Sequence, residues 1–246
     1  RQNRPGGVKS FSIGFAEAGY DELEFARIAA RACGAEPYTA NVSKEQAQTL
    51  AARVIEEYDQ PFANSSAVPT LACADLARDN GISMLLAGDG GDEIFGGNER
   101  YAKDKIMSTY FALPSAVKAA GGLVAKAVSG RSSHFLNRVE NFFERASLPN
   151  PDRFYTDDSF ASDHYTELLC PEFRAQVDRD ASLDFMRGLY RTGETGGPLH
   201  RIMRLDLHMA IARNDIPKVH GATRSANVTT RFPLLDPKLV AFTGHL

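Results

Sequence analysis

The first hundred residues alternate between short apolar runs and longer amphipathic stretches. Residues 11–15 form an apolar run after polar turn residues, which is typical of a buried strand. A helical pattern follows and ends at Gly34, residues 36–42 predict a second strand, and residues 82–87 predict a third. Strands that alternate with helices in this way predict an α/β fold in which a parallel sheet carries helices on both faces.

The helices between these strands begin at recognisable capping residues. Asp21 precedes the first amphipathic stretch, where its side chain can cap a helix. Ser43 is followed three residues later by Gln46, which is the sequence pattern of a capping box. A third helix is predicted over residues 68–77, with Pro69 early enough in the helix to be tolerated.

The pattern changes after residue 97. From Asn98 onwards we find only helical periodicity, for example around residues 106–113, 183–190 and 202–211, and we predict no further strand. We therefore divide the chain into an α/β part, residues 1–97, and a mainly helical part, residues 98–246.

The composition is that of a globular protein and argues against several classes of function. The 246 residues carry a net charge of −3, with 43% hydrophobic and 24% charged residues, as in an ordinary globular protein. This charge gives no basic footprint for nucleic acid or an anionic membrane surface. No apolar run approaches the ~20 residues that a membrane span needs. The three scattered cysteines predict neither a disulfide framework nor a paired zinc site, so we expect a reduced, cytoplasmic protein.

The loop after the third predicted strand, residues 88–97, points most directly to chemistry. It contains five glycines and three acidic residues. Glycine allows the backbone to approach a ligand closely, and amide groups at a strand-to-helix junction favour phosphate. Carboxylates in the same loop would repel phosphate unless a cation lay between them, so the combination indicates a magnesium nucleotide. An acidic surface loop and a calcium site are the alternatives.

Four ordered segments resemble one known family. Residues 87–101 are similar to the Ser-Gly-Glu/Asp-Gly-x-Asp-Glu-Leu-Phe-Gly-Gly-Tyr motif in the ATP-pyrophosphatase (synthetase) domain of the asparagine synthetase family. Residues 9–26, 59–70 and 215–236 resemble further segments of that domain in the same order. The resemblance implies a fold of the adenine nucleotide alpha hydrolase-like, PP-loop ATPase type.

The family's phosphate loop, Ser-Gly-Gly-x-Asp-Ser, is not found in these 246 residues. Residues 5–10 imitate it, but Lys9 stands where the loop has aspartate, and a strand follows where the loop would open a helix. We therefore expect a fragment that lacks the first strand of the sheet and the N-terminal glutaminase domain. In such a fragment the strands at 11–15 and 82–87 would have open inner edges, so a homodimer is one expected assembly.

The resemblance implies the parent's reaction. Family members use ATP and Mg²⁺ to adenylate the side-chain carboxylate of aspartate, release pyrophosphate, and transfer ammonia from glutamine to give asparagine and AMP. We expect the fragment alone to be inactive. Two alternatives stay open: a related amidotransferase or β-lactam-synthetase-like ligase that acts on another carboxylate, and a non-catalytic interaction module on a degenerate nucleotide fold.

The resemblance also assigns three charged site residues. Asp89 matches the family's acidic residue near the reacting acyl centre, where it can receive or orient a proton from ammonia. Asp92 matches the acid that binds Mg²⁺, and Lys218 matches the lysine that neutralises charge on the departing pyrophosphate.

Four further residues are assigned to nucleotide binding. Ile13 matches the strand position whose backbone meets the adenine, and Gly88 lies where the family's loop contacts the nucleotide. Gly90 and Gly91 continue that loop. His220 stands where the family usually has aspartate, and this departure leaves the identity of the acceptor carboxylate open.

Overall fold

The computed structural model describes residues 7–15, 23–58, 62, 64–115, 118, 141–155, 164–192 and 196–245. The chain divides into two compact units, the first formed by Arg1–Gly90 and Met209–Leu239, the second by Gly91–His208 and Val240–Leu246. The division predicted from the sequence, between residues 97 and 98, differs from these two units, because residues 209–239 pack with the α/β elements.

The elements run in the following order. The chain begins with β1 (Lys9–Phe15), α1 (Leu23–Cys33), β2 (Glu36–Val42), α2 (Lys44–Glu57), α3 (Ala67–Asp79) and β3 (Met84–Leu86). It continues with α4 (Gly91–Phe95), α5 (Glu99–Phe111), α6 (Asp152–Tyr155), α7 (Tyr165–Leu168), α8 (Pro171–Arg174), α9 (Ala181–Arg191) and α10 (Pro198–Asp206). A π-helical segment (Leu207–Asp215), α11 (Ile216–Ser225), β4 (Thr229–Arg231), a 3-10 turn (Pro233–Leu235) and α12 (Pro237–Thr243) complete it.

The local predictions for the first unit are confirmed. β1, β2 and α3 lie where the pattern placed them, and the third strand is shorter than the predicted 82–87. The amide of Gln46 donates to the Ser43 hydroxyl at 3.2 Å, and the Ser43 amide donates to the Gln46 side chain at 2.9 Å, as a capping box requires. Asp21, the predicted cap of α1, lies outside the described residues.

The mixed α/β class and the parallel pairing of strands are confirmed, but the described strands do not form one continuous sheet. β1 pairs in parallel with β2, with Lys9 opposite Glu36. β3 pairs in parallel with β4, with Met84 opposite Thr229. These are two separate two-stranded sheets, because no strand in the described part of the chain joins β1 to β3.

β4 also contradicts the prediction that no strand follows residue 98. It has only three residues, which are too few to show an alternating pattern, and it is defined by its pairing with β3. Asn227, at φ 57°, makes the turn that leads from α11 into this strand.

Helix α3 supports the strands of both sheets. Its Cys73 thiol donates to the Phe11 carbonyl of β1 at 3.6 Å, and its buried Ala74 packs with Leu85 of β3. α3 also packs with α2 and α11, and together they form a core of buried residues, namely Val54, Ala67, Leu71 and Ala222. Helix α3 therefore packs against both β1 and β3, the two strands that have an open edge.

The second unit is helical, as predicted, and its core contains charged groups. Tyr101, Phe154 and Ile202 form a buried cluster. The buried carboxylate of Asp206 accepts hydrogen bonds from the hydroxyls of Tyr101 at 2.7 Å and Tyr155 at 2.5 Å. Burial and this carboxylate raise the pKa of both phenols, so they act as neutral donors. Among the described helices we find none with the length and apolar character needed to cross a bilayer.

Candidate active site

A cavity of about 840 Å³ lies in the first unit, between β1 and β3. Its volume falls in the range of small-molecule sites in proteins. Residues of β1, α3 and β3 form its walls, and Asp89 and Lys218 contribute charge. Asp89 follows the carboxyl end of β3, which is where parallel α/β sheets bind their ligands.

Lys218 lies in the first turn of α11, and its side chain is only 12% exposed. Its ammonium donates a hydrogen bond to the carboxylate of Asp215 at 2.7 Å. The two residues are three positions apart, so one helical turn brings them together. A nearly buried ammonium that is held by a carboxylate partner has a defined position.

The start of α11 is fixed from α2 by Tyr58. The Tyr58 hydroxyl donates to the backbone carbonyl of Lys218 at 2.6 Å, and its ring stacks on Phe62 with centroids 4.4 Å apart. A Cβ atom at position 221 would lie 2.5 Å from the Tyr58 ring, so this contact requires Gly221. The backbone that carries Lys218 is therefore held independently of its side chain.

Asp89 is half-buried, and its pKa is raised above the usual value for aspartate. Burial is the main cause, the charge of Lys218 opposes it, and the carboxylate of Asp215 adds to it. The electrostatic interaction of Asp89 with Lys218 and Asp215 brings one cation and two carboxylates to the same region. A carboxylate with a raised pKa is a better proton acceptor than an exposed one.

The glycines around Asp89 have different roles. Gly90 is buried at φ 91°, and a Cβ atom there would collide with the Leu235 side chain, so glycine is required. Gly88 is exposed, and a Cβ atom there would meet nothing within 4 Å, which leaves open space beside the loop. Ile13 of β1 lines the same cavity as Asp89 and Lys218.

The remaining predicted site residues belong to the second unit. Gly91 and Asp92 begin the short helix α4. Asp92 is exposed, and its side chain lies beside Gly97, where a Cβ atom would be 2.5 Å from a carboxylate oxygen. The described structure brings Ile13, Asp89 and Lys218 together on one cavity, and the grouping of Asp92 with them stays a prediction.

The donor set suits a magnesium ion that is held mainly by phosphates. Within the described ranges, no group of three or more His, Cys, Asp or Glu side chains could hold a metal ion. Mg²⁺ commonly takes only one or two carboxylates and completes its shell with phosphate oxygens and water. A single exposed carboxylate such as Asp92 fits that use.

Two residues in or beside the cavity were not predicted from the sequence. Asp215 lies at the start of the segment 215–236, and its spacing of three residues from Lys218 is a readable signal. Thr230 of β4 is 3% exposed, and in the part of the chain that the structure describes its hydroxyl has no hydrogen-bond partner. No sequence signal marked Thr230, because β4 itself was not predicted.

Cys73 also lines the cavity. Burial raises the pKa of its thiol to about 11, so the group is neutral at physiological pH. A neutral thiol is a poor nucleophile, and the cavity therefore offers Lys218 and Asp89, but no activated cysteine, for chemistry.

Several known proteins are similar to this chain over most of its length. A family model described as asparagine synthase matches residues 1–246. The chain is similar to a putative glutamine-hydrolysing asparagine synthetase of Mycobacterium tuberculosis H37Rv, with 26% identity over 238 residues, which cover 96% of this chain and 35% of the relative. It is also similar to glutamine-hydrolysing asparagine synthetase 1 of Bacillus subtilis 168, with 22% identity over 233 residues, which cover 93% and 35%.

A third relative covers a shorter region. The chain is 31% identical over 152 residues to putative glutamine-hydrolysing asparagine synthetase 2 of Methanocaldococcus jannaschii, which is 61% of this chain and 28% of the relative. The chain thus spans about a third of the length of the first two relatives. No solved structure matches the chain.

Proposed function

The chain belongs to the asparagine synthase family, and we propose from this premise that it is the carboxylate-activating part of an ATP-dependent, amide-forming ligase. Two relatives from different bacteria are named as glutamine-hydrolysing asparagine synthetases, which supports aspartate as the acceptor and glutamine as the source of ammonia. Because His220 replaces the family's usual aspartate, the experiment below also tests other acceptor carboxylates.

The proposed reaction has two steps. A carboxylate oxygen of the acceptor attacks the α-phosphorus of ATP, which forms an acyl-adenylate and releases pyrophosphate. Ammonia then attacks the acyl carbon, loses a proton, and expels AMP to leave the amide. Each step develops or removes charge at a defined atom, so the fixed charges of the cavity decide the rate.

Lys218 suits the first step. Negative charge grows on the departing pyrophosphate, and an ammonium that is already fixed by Asp215 needs no reorganisation to stabilise it. Because this interaction is stronger in the transition state than with bound ATP, Lys218 should contribute mainly to kcat.

Asp89 suits the second step. It lies in a partly buried position that raises its pKa, and the nitrogen must lose a proton as the amide forms. The open space beside Gly88 leaves room for the reacting acyl group next to this carboxylate. Asp92 would hold the Mg²⁺ ion that accompanies ATP, and the bound ion would neutralise part of the phosphate charge.

The observation that carries this proposal is the meeting of Asp89 and Lys218 on one cavity, although 128 intervening residues separate them in the sequence. Its test is pyrophosphate release by the native polypeptide that carries these residues, with ATP, Mg²⁺, ammonia and a panel of carboxylates. We expect release that depends on aspartate and yields asparagine. Release with a different carboxylate would change the acceptor, and no release with any carboxylate would favour the interaction module.

Residues 1–246 alone provide a comparison in the same assay. They contain no Ser-Gly-Gly-x-Asp-Ser segment, whose amide groups would bind the pyrophosphate end of ATP. We expect no pyrophosphate above the buffer level from them.

A further inference from the structure

A second cavity, of about 130 Å³, lies within the second unit. Its walls come from α5, from a helical stretch at residues 141–146, and from α6. Most of its lining residues are charged, and the positive charges outnumber the negative. The basic residues are Arg100, Lys103, Arg145 and Arg153, and the acidic one is Asp104. We call this space the basic cavity; it shares no residue with the cavity between β1 and β3.

The charge of Asp104 is balanced by one of these basic residues, Arg153. The Arg153 side chain is 3% exposed, and its Nε group donates to the Asp104 carboxylate at 2.8 Å. The same guanidinium donates to the Ser108 hydroxyl at 2.6 Å, and Asp104 also accepts from the Asn150 amide at 3.0 Å. A buried ion pair with these hydrogen bonds is part of the core. Asp104 therefore compensates Arg153 and not the other three basic residues.

Arg100 is held in place by neutral groups. Its guanidinium carbon lies 4.4 Å from the centre of the Phe154 ring, and one of its nitrogens donates to the Phe154 carbonyl at 2.9 Å. Phe154 is itself buried, so the core fixes this support. A guanidinium has five N–H donors, and the carbonyl uses one of them. In the described part of the chain Arg100 has no carboxylate partner, so its charge and its remaining donors are available to a ligand.

Arg145 and Lys103 add positive charge around the same space. Arg145 donates to the Arg153 carbonyl at 3.1 Å, and its side chain lines the cavity. Lys103 pairs with Glu99 at 3.3 Å, but both side chains are mostly exposed, so water screens this pair. Like charges that converge on a small space repel each other, and an anion between them replaces that repulsion by attraction.

The volume and the donor type limit the ligand. At about 30 Å³ per water molecule the cavity holds about four waters, which is room for a tetrahedral oxyanion. A ligand of drug size needs a cavity of roughly 300 Å³ or more. Arginine binds phosphate through paired N–H donors, and a tetrahedral oxyanion presents oxygens to donors on several sides.

We infer that the basic cavity binds a phosphate-type oxyanion, with Arg100 as its main donor and Arg145 and Lys103 as further cations. Free phosphate and the phosphate groups of pyrophosphate share this chemistry. The inference does not rest on the proposed function, because the site belongs to the second unit and includes no residue that the proposed reaction uses. A bound oxyanion stabilises the fold that binds it, so phosphate should raise the melting temperature.

Calorimetric titration of the native polypeptide with sodium phosphate, at an ionic strength held constant with sodium chloride, tests the inference. We expect Arg100→Gln to lower the affinity for phosphate about tenfold or more, the effect of one hydrogen bond between charged groups. Phosphate should raise the melting temperature of the wild type and leave that of Arg100→Gln nearly unchanged. A parallel titration with pyrophosphate distinguishes the two sources: the ligand is the one for which Arg100→Gln causes the larger loss.

Lys103 and Lys105 are a matched pair of exposed lysines on α5, of which Lys103 lines the cavity and Lys105 does not. Lys103→Gln should weaken phosphate binding about threefold, as expected for a screened charge, and Lys105→Gln should leave it unchanged. Because both side chains are exposed, this pair decides the matter if Arg100→Gln folds poorly. Lys218→Ala should keep the phosphate binding of the second unit.

The inference is overturned if the wild type binds neither oxyanion, or if Arg100→Gln binds phosphate as tightly as the wild type does. Equal affinities of Lys103→Gln and Lys105→Gln would also overturn it, because position in the cavity would then have no effect. Loss of phosphate binding in Lys218→Ala would place the oxyanion in the first unit and contradict the assignment.

Discussion

The carboxyl of Asp89 experiences two opposing effects. Lys218 favours its charged form, and burial disfavours that form more strongly, so its pKa is raised. A raised pKa in the folded state means that this group stabilises the fold only while it is protonated. Its contribution is fully present below the unfolded pKa of about 3.9 and is lost as the pH rises through the folded value.

We therefore predict that Asp89→Asn raises the stability of the fold at pH 7, and that the gain disappears as the pH falls toward 4. Urea unfolding midpoints of residues 1–246 from pH 3.5 to 7.5 measure this effect. Glu56→Gln, a change at an exposed carboxyl of α2, provides the control and should show no comparable pH-dependent gain. A variant that is less stable than the wild type at pH 7 would contradict the burial argument.

In the loop of residues 88–97, Gly90 has a backbone conformation and a close neighbour that require glycine. A side chain at φ 91° is strained, and here it would also collide with Leu235. Gly90→Ala should lower the free energy of unfolding by about 1–3 kcal/mol. Gly88→Ala should change it by less than about 0.5 kcal/mol, because nothing lies near a Cβ atom at that position. Equal effects of the two substitutions, measured by urea unfolding, would show that the loop is not held as described.

At the scale of elements, the open edges of β1 and β3 have a consequence for assembly. Each strand has a partner on one side only within the described residues, and an open edge presents unpaired amide and carbonyl groups. We predict that residues 1–246 self-associate through these edges. Light scattering over a concentration series should show dimers, and hydrogen exchange should slow in β1 and β3 as dimers form.

Self-association through an exposed apolar side chain is the alternative to association through the strand edges, and a control variant distinguishes the two. Ile55 of α2 is 78% exposed, so Ile55→Glu tests association through that helix face and should leave the dimer intact. Both open edges border the cavity, so bound nucleotide should weaken the association. A monomer at every concentration would contradict the prediction.

Local patterns predicted the elements better than their partners. β2 and the capping box of Ser43 were predictable because their signals lie within a few residues. β4 was not, because three residues carry no periodicity and its partner β3 lies about 140 residues earlier in the chain. The separation of β1 from β3 agrees with the open inner edges expected for a fragment without the first strand, whereas the pairing of β3 with β4 could not be read from the sequence pattern.

The same distinction applies to the site. Asp89 and Lys218 were predicted from motifs that resemble a family, and the structure places both on one cavity. Thr230 could not be predicted, because the unpaired state of its hydroxyl depends on the packing around it rather than on its neighbours in the sequence. Asp215 is an intermediate case, since its spacing from Lys218 was readable and its contact was not.

At the scale of the whole molecule, the chain spans about a third of the length of its bacterial relatives, and its activity is proposed for the native polypeptide. The central claim is that the charges of the first unit act on the nucleotide while a carboxylate is activated. Lys218 tests that claim most directly, because the role proposed for it is confined to the chemical step.

The most direct measurement is steady-state kinetics of the native polypeptide with Lys218→Ala, in parallel with Lys238→Ala at an exposed position of the same unit. Loss of an ammonium that acts on the departing pyrophosphate should lower kcat by about 10²-fold, while KM for ATP changes less. Lys238→Ala should keep the wild-type values. If Lys218→Ala also keeps the wild-type kcat, Lys218 takes no part in catalysis and the account of the site is wrong.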